Sequence, residues 1–110
     1  MTADGVGRPV TLINVFEVAA ADVAEFIEKW QVRAAIMASA PGFRDARLHR
    51  AMTADARFQL VNVAHWDSAE HWMAAQSSPA FVASLKELRA EVAFTFTANP
   101  AIYETVTDLA

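Results

Sequence analysis

Two strand-length segments carry apolar residues at both odd and even positions, and this feature constrains the fold more than any other. Residues 10–18 (VTLINVFEV) and 58–66 (FQLVNVAHW) are rich in β-branched and aromatic side chains. Successive side chains of a strand point to opposite faces of a sheet, so this pattern is typical of strands covered on both faces. We therefore predict that the two segments are the central strands of a sheet.

The rest of the chain alternates between helical and strand-like patterns. Apolar spacing and turn residues predict a helix over 22–39, an edge strand over 43–50, helical segments over 67–76 and from 78 onward, and a last strand over 101–107. Asp22, Asp67 and Ser78 stand where helix-capping residues are expected. The order β-α-β-β-α-β is the split βαβ pattern of a ferredoxin-like α+β fold with an antiparallel sheet.

The helices of such a fold cover one face of the sheet and leave the other face open. The open face is predicted to carry Ile13, Val15, Val61 and Val63, and the mean hydropathy of the chain is +0.20. A small chain has much surface for its volume, so we expect a homodimer that buries this face, a dimeric α+β barrel. Residues 1–9 are expected to form a flexible leader and residues 10–110 a single domain.

Charge and composition argue against several classes of function. The net charge is −4 and no basic run is present, so nucleic acid is not an expected partner. No apolar stretch approaches the roughly 20 residues that span a membrane, and no signal peptide is recognisable, so a cytoplasmic location is expected. The chain has no cysteine, and His49, His65 and His71 lack a metal-ligand spacing, so no metal site is expected. His65 and His71 could still carry protons.

Two amides interrupt the central strands. Asn14 shares its face with Leu12 and Phe16, and Asn62 shares its face with Trp66. A buried amide without a partner costs about 1–3 kcal/mol, so each should have one. Either the amides bond neighbouring side chains or buried water, or they bind a ligand oxygen together with the indole N–H of Trp66.

Several segments together resemble the antibiotic-biosynthesis monooxygenase family over about residues 10–107. They are the strand LINVFEV, the turn PGF, the run RFQLVNVAHWDSAEHW and the segment SPAF. The resemblance implies a cofactor-independent monooxygenase that oxidises a flat phenolic, polyketide-like substrate with O2 to a quinone. The cofactor-independent branch of the family carries a similar V-N-x-A-x-W run, matched here by Val61, Asn62, Ala64 and Trp66. The resemblance therefore makes Asn62 and Trp66 the expected catalytic residues.

Further substrate-binding residues are expected around the same pocket. In the family the first helix roofs the pocket, so Trp30 could stack on a flat ligand and Arg33 could pair with an anionic or phenolate group. Asn14 and Trp72 complete the expected set. Trp72 stands where that branch can have a tyrosine, and Lys86 lies near where it can have an arginine.

Two alternative functions remain open. The haem-degrading branch of the family also has an asparagine on the first strand. It has a tryptophan where the strand over 58–66 leads into the next helix. Asn14 and Trp66 match these two residues. It needs a histidine on the second helix, but residues 81–85 (FVASL) contain none, so haem is disfavoured and no cofactor is expected. The third alternative is a dimeric barrel that binds a small molecule without turning it over.

Overall fold

The computed structural model describes residues 8–109, so residues 1–7 of the expected leader lie outside the described part of the chain. The regular elements are β1 (Val10–Glu17), a 3₁₀ turn (Ala20–Asp22), α1 (Val23–Ala38), β2 (Phe43–Arg50), β3 (Leu60–Trp66), α2 (Ala69–Gln76), α3 (Pro79–Glu91) and β4 (Thr97–Tyr103). Within residues 8–109, no helix has both the length and the apolar character needed to cross a membrane.

The four strands form one antiparallel sheet in the order β2-β3-β1-β4. The two segments predicted to be central are central, and β2 lies at an edge as its polar sequence indicates. The register between β1 and β3 sets Asn14 directly opposite Asn62 and Val15 opposite Val61. The prediction of an α+β, ferredoxin-like split βαβ fold with an antiparallel sheet is therefore confirmed.

The two faces of the sheet have different environments. On one face, Phe16 and Leu60 are buried in a cluster that also contains Phe26 of α1 and Leu88 of α3. On the other face, the residues of opposite parity remain partly exposed: Ile13, Val15, Val61 and Val63. The molecule is accordingly a slab only 17 Å thick in its shortest direction. The helices lie on a single side because period-2 alternation separates the two sets of apolar side chains.

The last strand begins four residues earlier than predicted, at Thr97 instead of residue 101. Pro100 lies inside it, opposite Asn14. A proline lacks the N–H that a strand donates, so its presence argues against a strand in the sequence. β4 is an edge strand, and there the missing donor is tolerated. The side chain of Asn99 adds a bond, its Nδ2 donating to the carbonyl oxygen of Val15 at 3.0 Å.

The predicted helix caps agree with the structure at one helix and differ at two. Asp22 stands at the N-cap of α1 but makes no capping hydrogen bond, because the chain enters this helix through the 3₁₀ turn. Ser78 caps α3 as predicted, its Oγ accepting from the N–H of Phe81 at 3.3 Å. The helix α2 begins after Ser68, one residue later than the Asp67 cap that the sequence suggested.

Candidate functional site

A cavity of about 170 Å³ lies between the sheet and the three helices. All six residues that the sequence assigns to the site line it: Asn14, Trp30, Arg33, Asn62, Trp66 and Trp72. They come from β1, α1, β3 and α2, and residues of α3 and β4 complete the wall. The fold thus brings together residues that are up to 58 positions apart, from Asn14 to Trp72, while their roles remain predictions.

The two amides at the centre of the sheet differ in their hydrogen bonds. Asn14 Oδ1 accepts from the backbone N–H of Asn99 at 3.0 Å, which supports β4 next to Pro100. Asn62 is only 8% exposed, and its Oδ1 is buried without any hydrogen-bond partner in the structure. The bond from Asn99 therefore satisfies Asn14 Oδ1 without a ligand. For Asn62 the described part of the chain supplies no partner, so its oxygen is expected to bond either a buried water or a ligand.

Trp66 ends β3 and is almost completely buried, with 1% of its surface exposed. Its ring packs edge-to-face on Phe43, with ring centroids 5.3 Å apart. The indole Nε1 is buried and has no hydrogen-bond partner. A tryptophan in a protein core usually satisfies this N–H, so the unpaired Nε1 of a residue that lines the cavity is unusual.

The corner after Trp66 holds the indole in place. The N–H of Asp67 donates to the carbonyl oxygen of Gly42 at 2.8 Å, and Gly42 has a φ of +87°. A Cβ at this glycine would collide with the ring of His71. Ser68 Oγ accepts the N–H of His71 at 3.1 Å and lies 2.7 Å from its Nδ1, which caps α2. These contacts fix the direction in which the chain leaves β3.

Asp67 does not cap α2, contrary to the sequence-based expectation. Its Oδ1 instead accepts from Arg44 Nε at 2.6 Å, so this carboxylate ties β2 to the beginning of α2. The hydroxyl of Ser68 is the better cap here because it lies one residue nearer to the first free N–H groups of the helix.

Aromatic rings form much of the wall of the cavity. Trp30 of α1 and Trp72 of α2 are both partly buried and line it together with Trp66. These are the three tryptophans of the chain. Large aromatic surfaces favour a flat, unsaturated ligand, which can pack against them face-on or edge-on.

Arg33 is the most unusual residue of the site. It is 6% exposed, and its Nη1 is buried without a hydrogen-bond partner. The guanidinium carbon lies 5.7 Å from the ring centroid of Phe26, which provides a cation–π contact. Burial, and then the charge of the neighbouring Arg89, lower the pKa of Arg33 to about 10. The group is still charged near neutral pH, so a cation lies buried in this cavity.

Arg89 is a cavity residue that the sequence did not predict. Its guanidinium carbon lies 4.6 Å from the ring centroid of Phe96, and both side chains line the cavity. Lys86, which the family resemblance placed near this position, is exposed and does not line it. The signal was present in the sequence: Phe81, Leu85 and Arg89 recur every four residues and therefore share one face of α3.

The titratable side chains elsewhere do not form a metal centre. Among residues 8–109, no three His, Cys, Asp or Glu side chains come close enough to hold a metal ion. His65 Nδ1 lies 2.6 Å from Asp45 Oδ1, on the sheet face without helices. His71 is engaged with Ser68. Neither histidine lines the cavity.

The fold and the cavity together define a class of protein: a small α+β domain with a mostly apolar, aromatic ligand site and a few unpaired polar atoms. Binding sites for small organic molecules have this composition, in which apolar walls supply affinity and sparse polar groups fix orientation. At about 170 Å³, the cavity is small beside typical ligand pockets of roughly 300–1,000 Å³, so it suits a compact ring system.

Comparison with known proteins extends this description. The sequence profile of the antibiotic biosynthesis monooxygenase family matches residues 9–87, and no curated protein matches the chain significantly. A candidate monooxygenase from Shewanella loihica PV-4 is 32% identical, with a TM-score of 0.74 over 92% of this chain and 97% of that one. SnoaB, a cofactor-independent oxygenase from Streptomyces nogalater, is 29% identical, with a TM-score of 0.76 over 93% and 97%.

A third solved structure represents different chemistry. MhuD, a haem degrader from Mycobacterium tuberculosis with two haems bound in its active site, is 30% identical, with a TM-score of 0.69 over 92% of this chain and 99% of that one. Because the family profile covers most of the chain, the protein belongs to the antibiotic biosynthesis monooxygenase family. The resemblance predicted from the sequence is thus confirmed.

Residues around the cavity do not suit a histidine-ligated haem. Of the side-chain types that commonly ligate haem iron, the described part of the chain places only a methionine, Met37, in the cavity wall. Phe81 and Leu85 of α3 line the cavity, and neither side chain could ligate an iron. A porphyrin here would lack the strong protein ligand that holds and tunes its iron.

Proposed function

We propose that this protein is an oxygenase that binds a flat phenolic or enolic substrate in the cavity and promotes its reaction with O2 without a cofactor. The observation that carries the proposal is the pair of buried, unpartnered polar atoms on two residues that line the cavity, Asn62 Oδ1 and Trp66 Nε1. Polar atoms left unpaired in an apolar cavity reduce stability, so their presence there is best explained by a ligand that pairs with them. The similarity to the cofactor-independent oxygenase SnoaB supports the same conclusion.

The chemistry needs no external reductant. In an anthrone-like substrate, the CH2 group between the rings is oxidised to a carbonyl by four electrons. One oxygen atom of O2 becomes that carbonyl oxygen, and the other leaves as water together with the two hydrogens of the CH2 group. The substrate reduces O2 itself once it has lost a proton to form an electron-rich enolate.

The proposed role of the protein is to bind and stabilise that enolate. Trp66 would donate its N–H to the oxygen on which negative charge develops, and the surrounding cavity would exclude water that weakens such a bond. Asn62 can present either its carbonyl oxygen to a substrate hydroxyl or, after a half-turn of the amide, its NH2 group to an oxyanion. Trp30 and Trp72 would hold the ring system by stacking.

Asn14 is proposed to act at the edge of the same site. Its Oδ1 already accepts from Asn99, so its NH2 group and one remaining lone pair of the oxygen are available to a ligand. The role of Asn14 is therefore in part to position the strand that carries it, and we expect a weaker direct effect on turnover than for Asn62.

Oxygen uptake with anthrone as substrate tests the proposal. The protein should consume one O2 for each anthraquinone formed, faster than the spontaneous reaction in the same buffer. Addition of a metal chelator should leave the rate unchanged, because the proposed chemistry uses no metal. A panel of anthrone-like and hydroquinone substrates extends the test. If none is oxidised faster than in buffer although anthraquinone binds, the protein is a binding domain and the oxygenase proposal is wrong.

Haem degradation is the second candidate, and the 30% identity to MhuD is the observation that favours it. Haem titration followed by absorption spectroscopy separates it from the first candidate. With no histidine in the cavity, we expect weak binding and no histidine-ligated spectrum. A tight complex with such a spectrum, converted to an open tetrapyrrole after addition of a reductant, would favour haem degradation instead.

We also propose that the protein is a homodimer through the sheet face without helices. Ile13, Val15, Val61 and Val63 are adjacent on this face and are partly exposed in a single chain. A second copy packed on the face would bury them and complete a barrel with two layers of helices outside. Sedimentation that shows a stable monomer at micromolar concentration would rule this assembly out.

A further inference from the structure

The sheet side of the cavity has a depression between two strands. Ala46 of β2 and Ala64 of β3 lie directly opposite each other in the register of the sheet, and both line the cavity. The neighbouring rows on this face carry larger side chains, which are Phe43 with Trp66 and Leu48 with Asn62. Two adjacent strands therefore carry only a methyl group each at the point where the rows beside them carry full side chains.

A third alanine lies on the helix side of the same cavity. Ala34 belongs to α1, and it lines the cavity together with Trp30 and Met37, which lie about one helical turn before and after it. The helix is therefore narrowest between these two large side chains. The space between Ala34 on the helix side and Ala46 and Ala64 on the sheet side is called the slot below.

The two buried polar atoms without partners lie on either side of Ala64. Asn62, Ala64 and Trp66 are alternate residues of β3, so their side chains point to the same face, with a spacing of roughly 6–7 Å along the strand. Asn62 Oδ1 and Trp66 Nε1 are the atoms that lack a hydrogen-bond partner. A ring system that reaches both atoms therefore has to lie across the methyl group of Ala64.

We propose that Ala34, Ala46 and Ala64 determine the specificity of the site by limiting the thickness of the ligand, so that the slot accepts flat ring systems and excludes groups that project from the ring plane. The inference rests on the proposed function, because it states which shape of substrate the same cavity accepts. An aromatic ring needs a carbon–carbon distance of about 3.5–4.0 Å to each wall, and an sp3 substituent that projects from the plane needs more.

Three quinones that do not react with O2 measure this selectivity apart from turnover. Anthraquinone is the reference. 5,12-Naphthacenequinone and 2-tert-butylanthraquinone each add four carbon atoms at the same edge of it, but the first stays flat and the second places methyl groups on both sides of the ring plane. All three tryptophans of the chain line the cavity, so quenching of their fluorescence reports binding at this site. The parent protein should bind the flat C18 quinone about tenfold or more tightly than the thick one.

Variants of the three alanines test which residues set the thickness. Ala34→Val, Ala46→Val and Ala64→Val each put two methyl groups into the slot, and each should weaken anthraquinone binding about five- to a hundredfold, the range expected for overpacking. Ala64→Gly removes a methyl group and should reduce the preference for the flat C18 quinone. Ala35→Val is the matched control, because Ala35 is exposed on the same helix and does not line the cavity.

Thermal melting of every variant ensures that a loss of binding is not a loss of fold. Ala34 and Ala46 are partly exposed, so they carry the test if Ala64→Val does not fold. The proposal is overturned if the parent protein binds the thick quinone as tightly as the flat one, or binds anthraquinone but neither of the larger ligands. It is also overturned if anthraquinone does not quench the fluorescence, if folded valine variants bind it like the parent, or if Ala35→Val weakens it equally.

The outcomes also separate this inference from the oxygenase proposal. If anthrone is oxidised but the alanine variants bind all three quinones like the parent, the oxygenase proposal stands and the slot does not determine specificity. If the selectivity for flat quinones depends on the three alanines but no substrate consumes O2, the slot stands and the protein is a selective binder of flat ring systems.

Discussion

Replacement of Arg33 by methionine is expected to stabilise the protein. Burial is the main reason that the pKa of Arg33 is lowered from the usual arginine value to about 10. At about 1.4 kcal/mol for each pKa unit, this shift corresponds to roughly 3 kcal/mol by which the folded state disfavours the charged form. Methionine keeps an apolar chain of similar length and removes the charge, so most of that penalty should disappear.

The gain is reduced by the contact that is lost. The guanidinium carbon lies 5.7 Å from the ring centroid of Phe26, and a cation–π contact contributes about 0.5–2 kcal/mol. The net effect of Arg33→Met is thus a rise of about 1–2 kcal/mol in the free energy of unfolding. For a domain of this size, 1 kcal/mol corresponds to roughly 4 °C in Tm, so the variant should melt about 4–8 °C higher near neutral pH.

The difference should also depend on pH in a defined direction. The folded-state pKa is lowered to about 10, so the penalty is fully present below pH 10 and is relieved as the pH rises from about 10 toward the usual pKa of arginine. The stability of the parent should therefore approach that of Arg33→Met above pH 10, while the difference stays constant between pH 7 and 9. Urea unfolding at one fixed protein concentration is the suitable assay, because the proposed dimer would make stability depend on concentration.

Two results would refute this reasoning. If Arg33→Met unfolds at lower urea concentration than the parent at pH 7, the arginine is a structural residue and its burial is compensated within the chain. If the variant is more stable but oxidises anthrone at the parent rate, the charge is a stability defect without a role in the site. Arg33→Gln, which restores hydrogen-bonding capacity without charge, separates loss of volume from loss of charge.

The other predictions concern the unpaired atoms and the open face. Trp66→Phe should lower turnover about a hundred- to a thousandfold, as for loss of an oxyanion donor, which steady-state oxygen uptake measures. The variant should lose no hydrogen bond within the folded chain, because Nε1 has no partner there, and thermal melting checks this. Asn62→Ala should likewise impair turnover. Asn14→Ala should instead lower the free energy of unfolding by about 1 kcal/mol, because it breaks the hydrogen bond from Asn99. Equal melting temperatures of the two variants would contradict this difference. Ile13→Glu should produce a monomer in sedimentation, since its charge would lie in the proposed interface with only Val63 and Ala101 opposite it; a dimer would exclude that interface.

Much of the fold follows from local pattern. Alternation with a period of two assigned Asn14 and Asn62 to the helix-covered face, and the structure places both there. Ser78 before Pro79 marked the beginning of α3, because capping depends only on neighbouring residues. The last strand was misplaced because Pro100 argues against a strand unless the strand is known to lie at an edge, and position in the sheet is not a local property.

The candidate site was predictable as a set of residues but not as a pattern of contacts. The alternation of side chains along the strands and the family resemblance identified the six residues around the cavity. They could not distinguish Asn14, whose oxygen accepts from Asn99, from Asn62, whose oxygen has no partner. Both are asparagines in similar apolar strands, and the difference arises from which strand lies beside each of them.

The sequence by itself determined the order of elements, the two faces of the central strands and the aromatic character of the site, because each depends on side-chain periodicity within one segment. Only the tertiary structure decided which polar atoms lack partners and how charge is distributed around the cavity. Arg33 and Arg89 lie on different helices, 56 positions apart, and their meeting in one cavity depends on how α1 and α3 pack on the sheet. The unpaired cations are therefore a property of long-range packing, which a local sequence pattern does not encode.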